Sequence, residues 1–355
     1  MSEELHRVDS FGESTMSEAK DPLAERGRYM LQTYRELNAL RPRFEAVLAK
    51  LGLRIRSGSP IDHLLRELGA LSDRWDREGN APHREDRRAD IARCASVSEL
   101  MLKVIAVSEL SEYYKLRAHL ELLLGDEPFV QHYFTPQHEG NPNKVFELYL
   151  GCLTLLVTRN VEMDDPVHSA GGTNPDIKTV FLGRKWGLAC KVLHGTHPGG
   201  YYDHLEKAID QIEKSGADRG IVIFGVKNLL PFDQMWPLAE RRDGEVRYHC
   251  FPSEKEPIQM VQEWVTTTFY QPVIDYAGGE AAMAKLFAGK IASPLVLHFA
   301  PLITGCMRGE DEAYAKLNIF KKLEFDKPHA DDIQLPEKIV WAANHAADHA
   351  VRSSS

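Results

Sequence analysis

The chain has 355 residues, 43 % of them hydrophobic and 27 % charged, which is enough apolar material for two domains of ordinary size and excludes a chain disordered throughout. A net charge of −9 excludes a protein that coats nucleic acid non-specifically, because phosphate contacts require Lys and Arg, but leaves room for a local basic groove. No apolar run reaches the roughly 18–20 residues that span a bilayer, and the acidic, Ser-rich N-terminus is unlike a signal peptide, so the sequence predicts a cytoplasmic protein without membrane contact.

In chain order, residues 1–20 lack periodicity and read as a disordered tail. Residues 21–140 form a helical domain: apolar side chains recur at steps of three and four in Met30, Tyr34, Leu37 and Leu40, and again in Leu100, Val104, Val107, Leu110 and Tyr114. Ser59 is placed to cap a helix that starts near Pro60, and the charged run from Asp73 to Asp90 reads as a solvated loop or helix end. The Pro-, Gly- and Asn-rich stretch from Phe134 to Asn143 marks a boundary near 140.

Residues 141–355 then read as a second domain. A helix runs from Lys144 to Leu156, strands from Asp176 to Leu182 and from Gly187 to Leu193 flank a hairpin at Gly183 to Trp186, and a helix from Tyr201 to Lys214 stops at Gly216. A buried strand follows from Gly220 to Val226, then helices at Glu256 to Gln271 and Gly279 to Ala288 and a strand at Pro294 to Ala300, which extend the same domain. The last fifty residues mix helix signals with Pro328 and Pro336. The expected class is α/β (α+β), a mixed central sheet flanked by helices beside a helical N-terminal region.

The chemistry-bearing residues concentrate in the hairpin. Asp176 follows Pro175 at the start of the first strand, and Lys191 lies inside the second strand, where alternation puts it on the face of Ala189 and Leu193. A lysine between apolar strand neighbours is unusual; taken alone, an edge strand with a snorkelling side chain explains it.

Pro175-Asp176, then Ala189-Cys190-Lys191, then a helix and a buried strand, together resemble the restriction-endonuclease-like, or PD-(D/E)XK, nuclease superfamily over roughly 85 residues. The resemblance implies that Asp176 and a second acid hold magnesium or manganese, that Lys191 positions or activates water at a scissile phosphate, and that Glu147, on the preceding helix, supports the site. Hard carboxylate oxygens suit such cations, and a metal with an ammonium stabilises charge growing on phosphate oxygens. The sequence departs from the pattern at one place: Ala189 stands where the second acid belongs. Asp203 or Glu206 in the following helix supplies a replacement acid, or Glu147 and Asp176, with Glu162, hold the metal themselves. If neither holds, the fold is a catalytically inactive module that binds nucleic acid or a partner protein.

The resemblance thus implies DNA as substrate, a restriction or antiphage defence role, and a homodimer or partner protein engaged through the helical N-terminal domain. Arg184 and Lys185 at the hairpin tip, with Trp186 to stack on a base, are the candidate nucleic-acid contacts, and Arg241 and Arg242 offer a second basic pair. His194, His197 and Asp203 have the residue types of a transition-metal site, and His197 or His204 is alternatively a phosphate contact near Lys191. His345 and His349 are spaced i, i+4 but lack the Glu of a zinc-hydrolase helix, and no Walker loop, dinucleotide fingerprint or serine-hydrolase elbow is present. The cysteines Cys94, Cys152, Cys190, Cys250 and Cys306 show no C-x-x-C spacing and read as reduced thiols.

Overall fold

The computed structural model describes residues 34–78, 86–125, 142–167, 174–242, 245–308 and 311–345. The tail at 1–20 and the boundary segment near 140 lie outside the described residues.

Four helices open the described chain: α1 (Tyr34–Lys50), α2 (Pro60–Glu78), α3 (Arg88–Val107) and α4 (Arg117–Gly125), the last preceded by a 3-10 turn at Tyr113–Leu116. The charged run from Asp73 therefore begins inside α2 and is helical to Glu78. Apolar positions on these helices bury Phe44, Leu48, Leu64, Leu68, Val104 and Leu120 in one cluster, which also takes in Leu148, Leu150 and Leu153 of α5 (Pro142–Val157) and Leu188, Cys190, Ile221 and Ile223 of the sheet. The helical region and the sheet thus share a continuous core, with α5 as the layer between them. Pro142 at the first position of α5 costs no hydrogen bond, because the first amides of a helix have no intrahelical partner.

The sheet has seven strands: β1 (Arg159–Met163), β2 (Ile177–Phe181), β3 (Arg184–Val192), β4 (Arg219–Gly225), β7 (Cys250–Phe251), β8 (Ala292–Arg308) and β9 (Asp311–Glu324); β5 (Leu238–Arg242) and β6 (Glu245–Tyr248) form a separate ribbon. The order is β1-β2-β3-β4-β8-β7, with β9 along β8. β1, β2 and β3 are antiparallel neighbours, β3-β4 and β4-β8 are parallel, and β8-β9 is a long antiparallel hairpin. This is the expected α/β class, a mixed sheet flanked by helices.

Two details differ from the sequence reading. The hairpin between β2 and β3 turns at Leu182 and Gly183, both with positive φ (50° and 75°), so Arg184 and Lys185 belong to β3 rather than to the turn. A two-residue turn of this hand matches the twist of the strands it joins, and Gly183 takes its φ without steric cost. The C-terminal region holds β8 and β9, 17 and 14 residues long, where the sequence indicated only one strand from Pro294 to Ala300.

The crossover between β3 and β4 is α6 (Pro198–Lys214), which lays Tyr201, Leu205, Ala208, Ile209 and Ile212 on the sheet face formed by Ala189, Leu193, Val222 and Phe224. Gly220 permits this close approach: a Cβ there would lie 2.2 Å from Ile212 Cγ2. Below the same face runs a continuous helix of α8 (Lys255–Val265), a π-helical turn (Thr266–Tyr270) and α9 (Gln271–Ala277), where the sequence pattern predicts one helix ending near Gln271. The remaining helices are α7 (Phe232–Met235), α10 (Glu280–Phe287) and α11 (Ala330–His345). Among the described residues no helix is long and apolar enough to cross a membrane.

Candidate active site

Glu147 lies in the middle of α5, among Phe146, Leu148 and Leu150, and is 2 % exposed. His119 of α4 packs against it. A carboxylate so placed requires partners, since burying an unpaired charge is costly. Lys144, one helical turn earlier, donates to both oxygens, at 3.0 Å to Oε1 and 2.8 Å to Oε2, and His119 Nε2 from α4 lies 3.2 Å from Oε2. Burial pushes the carboxyl towards its neutral form, but His119 and Lys144 outweigh it and hold the group below the usual carboxylate range.

Asp176 stands at the entry to β2, directly after Pro175, and its backbone oxygen accepts from the Asp164 amide just beyond β1. Its side chain reaches across to β3. Oδ2 accepts from the Cys190 amide at 2.6 Å and from the Lys191 ammonium at 3.3 Å. Burial raises the Asp176 pKa to about 6, the Glu147 charge adds to the rise, and Lys191 and the Cys190 amide oppose it. The Glu147 charge thus reaches Asp176 although the two come from different elements.

Lys191 follows from strand alternation. Leu188, Cys190 and Val192 enter the core on the α5 side, and Ala189 and Leu193 enter the core under α6. Lys191 shares the second face, one step from the end of β3, and its side chain keeps 19 % of its surface exposed. Along the flank of α6, burial depresses the His204 pKa, and the positive charges of Lys207, Lys191 and His194 depress it further. This end of β3 is therefore cationic around a buried acid.

Of the residues chosen from sequence, Asp176 and Lys191 are in direct contact, and Glu147 reaches Asp176 through its charge. Neither proposed replacement acid joins them. Asp203 and Glu206 are exposed on α6, Glu162 is exposed on β1, and among the described residues no group of three His, Cys, Asp or Glu side chains is arranged to hold a metal ion. Ala189 is fully buried. His197 serves as the cap of α6, its Nδ1 accepting from the Gly199 amide at 3.2 Å.

The hairpin-tip expectation needs correction. Trp186 is 1 % exposed and belongs to the core under α5, so it has no open ring face on which a base can stack. The signal read as a stacking platform was an apolar side chain packed inward at a strand position. Arg184 is exposed and ion-paired with Asp331 at 3.1 Å, and Lys185 is exposed with its amide bonded to Asp218 at 2.8 Å. Both sit at the opposite end of β3 from Lys191, roughly 20 Å away at ~3.3 Å per residue. Arg241 and Arg242 fall in β5, and His349 lies outside the described residues.

Two participants were missed by the sequence reading. Lys144 carries a readable signal, because residues three apart on a helix are neighbours. His119 carries none: its meeting with Glu147 is a contact between helices. Magnesium and manganese are commonly held by one or two carboxylates and keep several waters, so Glu147 and Asp176 have the donor type that such an ion takes. Among the described residues both bonds at Asp176 end on Oδ2 and none on Oδ1, whereas both oxygens of Glu147 are engaged by Lys144 and His119. Comparisons with protein-family models, with curated proteins and with solved structures return no match.

Proposed function

We propose that the protein is a metal-dependent nuclease that hydrolyses DNA phosphodiester bonds at the Glu147–Asp176–Lys191 site. The observation that carries this reading is the convergence of an acid at the start of β2, a lysine near the end of the neighbouring β3 and a buried acid from the helix before them. Helix, antiparallel hairpin, helix and parallel buried strand follow in the order that the nuclease resemblance calls for, which supports it further.

In this reading Asp176 and Glu147 are the residues that would hold magnesium or manganese. The bound cation would supply Lewis-acid stabilisation of charge on the phosphate and acidify a coordinated water. Lys191, tethered to Asp176 but one-fifth exposed, presents its ammonium where a phosphate oxygen gains charge. The Cys190 amide fixes Asp176 so that one oxygen stays free. The ammonium groups of Lys191 and Lys207, on either side of His204, draw the polyanionic backbone to this end of the sheet. The cytoplasm is the proposed place of action, in keeping with scattered cysteines that show no C-x-x-C spacing.

The test is cleavage of plasmid and linear DNA by the purified protein with magnesium or manganese, beside EDTA and Lys191→Ala controls. The expected result is metal-dependent cutting that falls by about 10²–10⁴-fold in the variant. A second reading, a nuclease-fold module that binds DNA or a partner without cutting, is favoured by one observation: buried Ala189 leaves two carboxylates where the resemblance expects three groups. Equal DNA binding by both proteins with no cleavage of any substrate overturns the nuclease and selects this module.

A further inference from the structure

The two lysines of the site are not equivalent. Lys191 touches one oxygen of Asp176 and leaves the other free. Lys144 bridges both oxygens of Glu147, and His119 takes a further position on Oε2, so that carboxylate presents no unengaged oxygen. The charge of Lys144 also extends to Asp176, where it favours the ionised form.

We propose that Lys144 is an internal counter-ion that occupies the cation position of Glu147 and thereby sets the affinity of the site for a divalent metal. The inference rests on the nuclease reading of the preceding section, in which Glu147 and Asp176 hold that metal. A monovalent ammonium on a flexible stem and a dication compete for the same two oxygens, and the two positive charges repel one another at close range. Lys144 has an exit: its side chain is 19 % exposed while that of Glu147 is 2 % exposed. It lies in the first turn of α5, so it can swing to solvent without unwinding the segment that carries Glu147. Metal-free, each carboxylate of the site is paired with a lysine, Glu147 with Lys144 and Asp176 with Lys191. Loading releases Lys144 and keeps Lys191 beside the phosphate.

The experiment is a titration of the full chain with Mn²⁺ alone, followed by calorimetry and by the electron paramagnetic resonance of free Mn²⁺, for wild type, Lys144→Met, Lys144→Arg and Asp176→Asn. Lys144→Met, which keeps the alkyl stem and removes the charge, is expected to bind Mn²⁺ about ten-fold tighter or more. Lys144→Arg, which keeps the charge, is expected to stay near wild type, and Asp176→Asn to lose binding. Thermal melting without metal checks the fold, and Lys144→Gln replaces the Met variant if that one is unfolded. Unchanged or weaker Mn²⁺ binding in Lys144→Met, with binding still dependent on Asp176, overturns the role of Lys144 and leaves the nuclease reading standing. Tightening in Lys144→Arg as well as in Lys144→Met also overturns it, because charge is then not the cause. Absence of Mn²⁺ binding in all four proteins overturns both.

Discussion

Two buried ionic clusters flank the same helix, and they differ in what they leave open. On one side of α5, Tyr149 donates to Glu99 of α3, which also meets Lys103, Lys316 and Asn318 at 3.4, 3.9 and 3.1 Å. On the other side, Glu147 meets Lys144 and His119 and acts by its charge on Asp176, which is paired with Lys191. Tyr149 and Glu147 are two residues apart, about 200° around the helix at 3.6 residues per turn, which sends them to opposite sides. In the first cluster Glu99, Lys103 and Lys316 are sealed, and Lys103 spends its ammonium on the last carbonyls of α11, at 3.0 Å to Ala342 and 2.7 Å to Ala343. In the second, both lysines keep 19 % of their side chains exposed. Buried charge alone therefore does not mark a site. Access does: the sealed cluster ties α3, α5, β9 and α11 together, while the open one holds charges that a ligand can reach.

The comparison breaks first at Lys103. Replacing it with Ala leaves Glu99 buried beside fewer partners and removes the ammonium from the Ala342 and Ala343 carbonyls, of which the second keeps its bond from Asn318, at a cost of about 3–5 kcal/mol by urea denaturation. A loss below about 1 kcal/mol would remove the structural role assigned to the sealed cluster. Asp176→Ala in the open cluster is expected to cost less, about 1–3 kcal/mol from the orphaned Cys190 amide and unpaired Lys191, while abolishing metal-dependent cleavage. Retained cleavage in that variant would move the chemistry away from β2.

A smaller effect should appear in the pH dependence of stability. Burial lowers the Lys316 pKa from 10.5 to about 8 against the opposing pull of Glu99. The folded chain then releases this proton near pH 8, whereas the unfolded chain keeps it until its ordinary value. Between those values the unfolded state binds more protons, so this group makes stability rise with pH across that window, and its penalty is present in full below it. Lys316→Met should flatten that rise, as read from denaturation midpoints taken at intervals across the window; an unchanged slope would assign the titration elsewhere. The smallest effect belongs to Arg184→Ala, which breaks an exposed pair with Asp331 and should change stability by less than about 1 kcal/mol. If the variant nevertheless loses DNA affinity, the far end of β3 contacts nucleic acid after all.

Much of the fold was legible because its signals are local. α5, the strands around the hairpin, α6 with Gly216 behind it, and the continuous β-branched run of β4 all appear in the residue pattern at nearly their observed bounds. β1 was not read, because an edge strand with only Val161 fully buried and Asn160 at positive φ has no alternation to show. β9 was hidden by its composition: Ala, Lys, Leu and Glu favour helices, and its strand form comes from pairing along 14 residues with β8. Trp186 misled in the same way, since an aromatic next to Arg and Lys looks like a base platform until its burial is known.

By itself the sequence determined which residue types were at hand and in what order: an acid after Pro175, a lysine among apolar strand residues, an acid in the helix before them, and Ala189 in place of a third. Strand and helix periods are local, so they also fixed the faces on which these residues lie. Tertiary structure alone decided their partners. Packing of α4 on α5 brings His119 to Glu147, and strand pairing gives Asp176 the Cys190 amide and the partly exposed Lys191 ammonium. Those contacts join segments far apart in the chain, and they are set by the shared core rather than by any neighbouring residue.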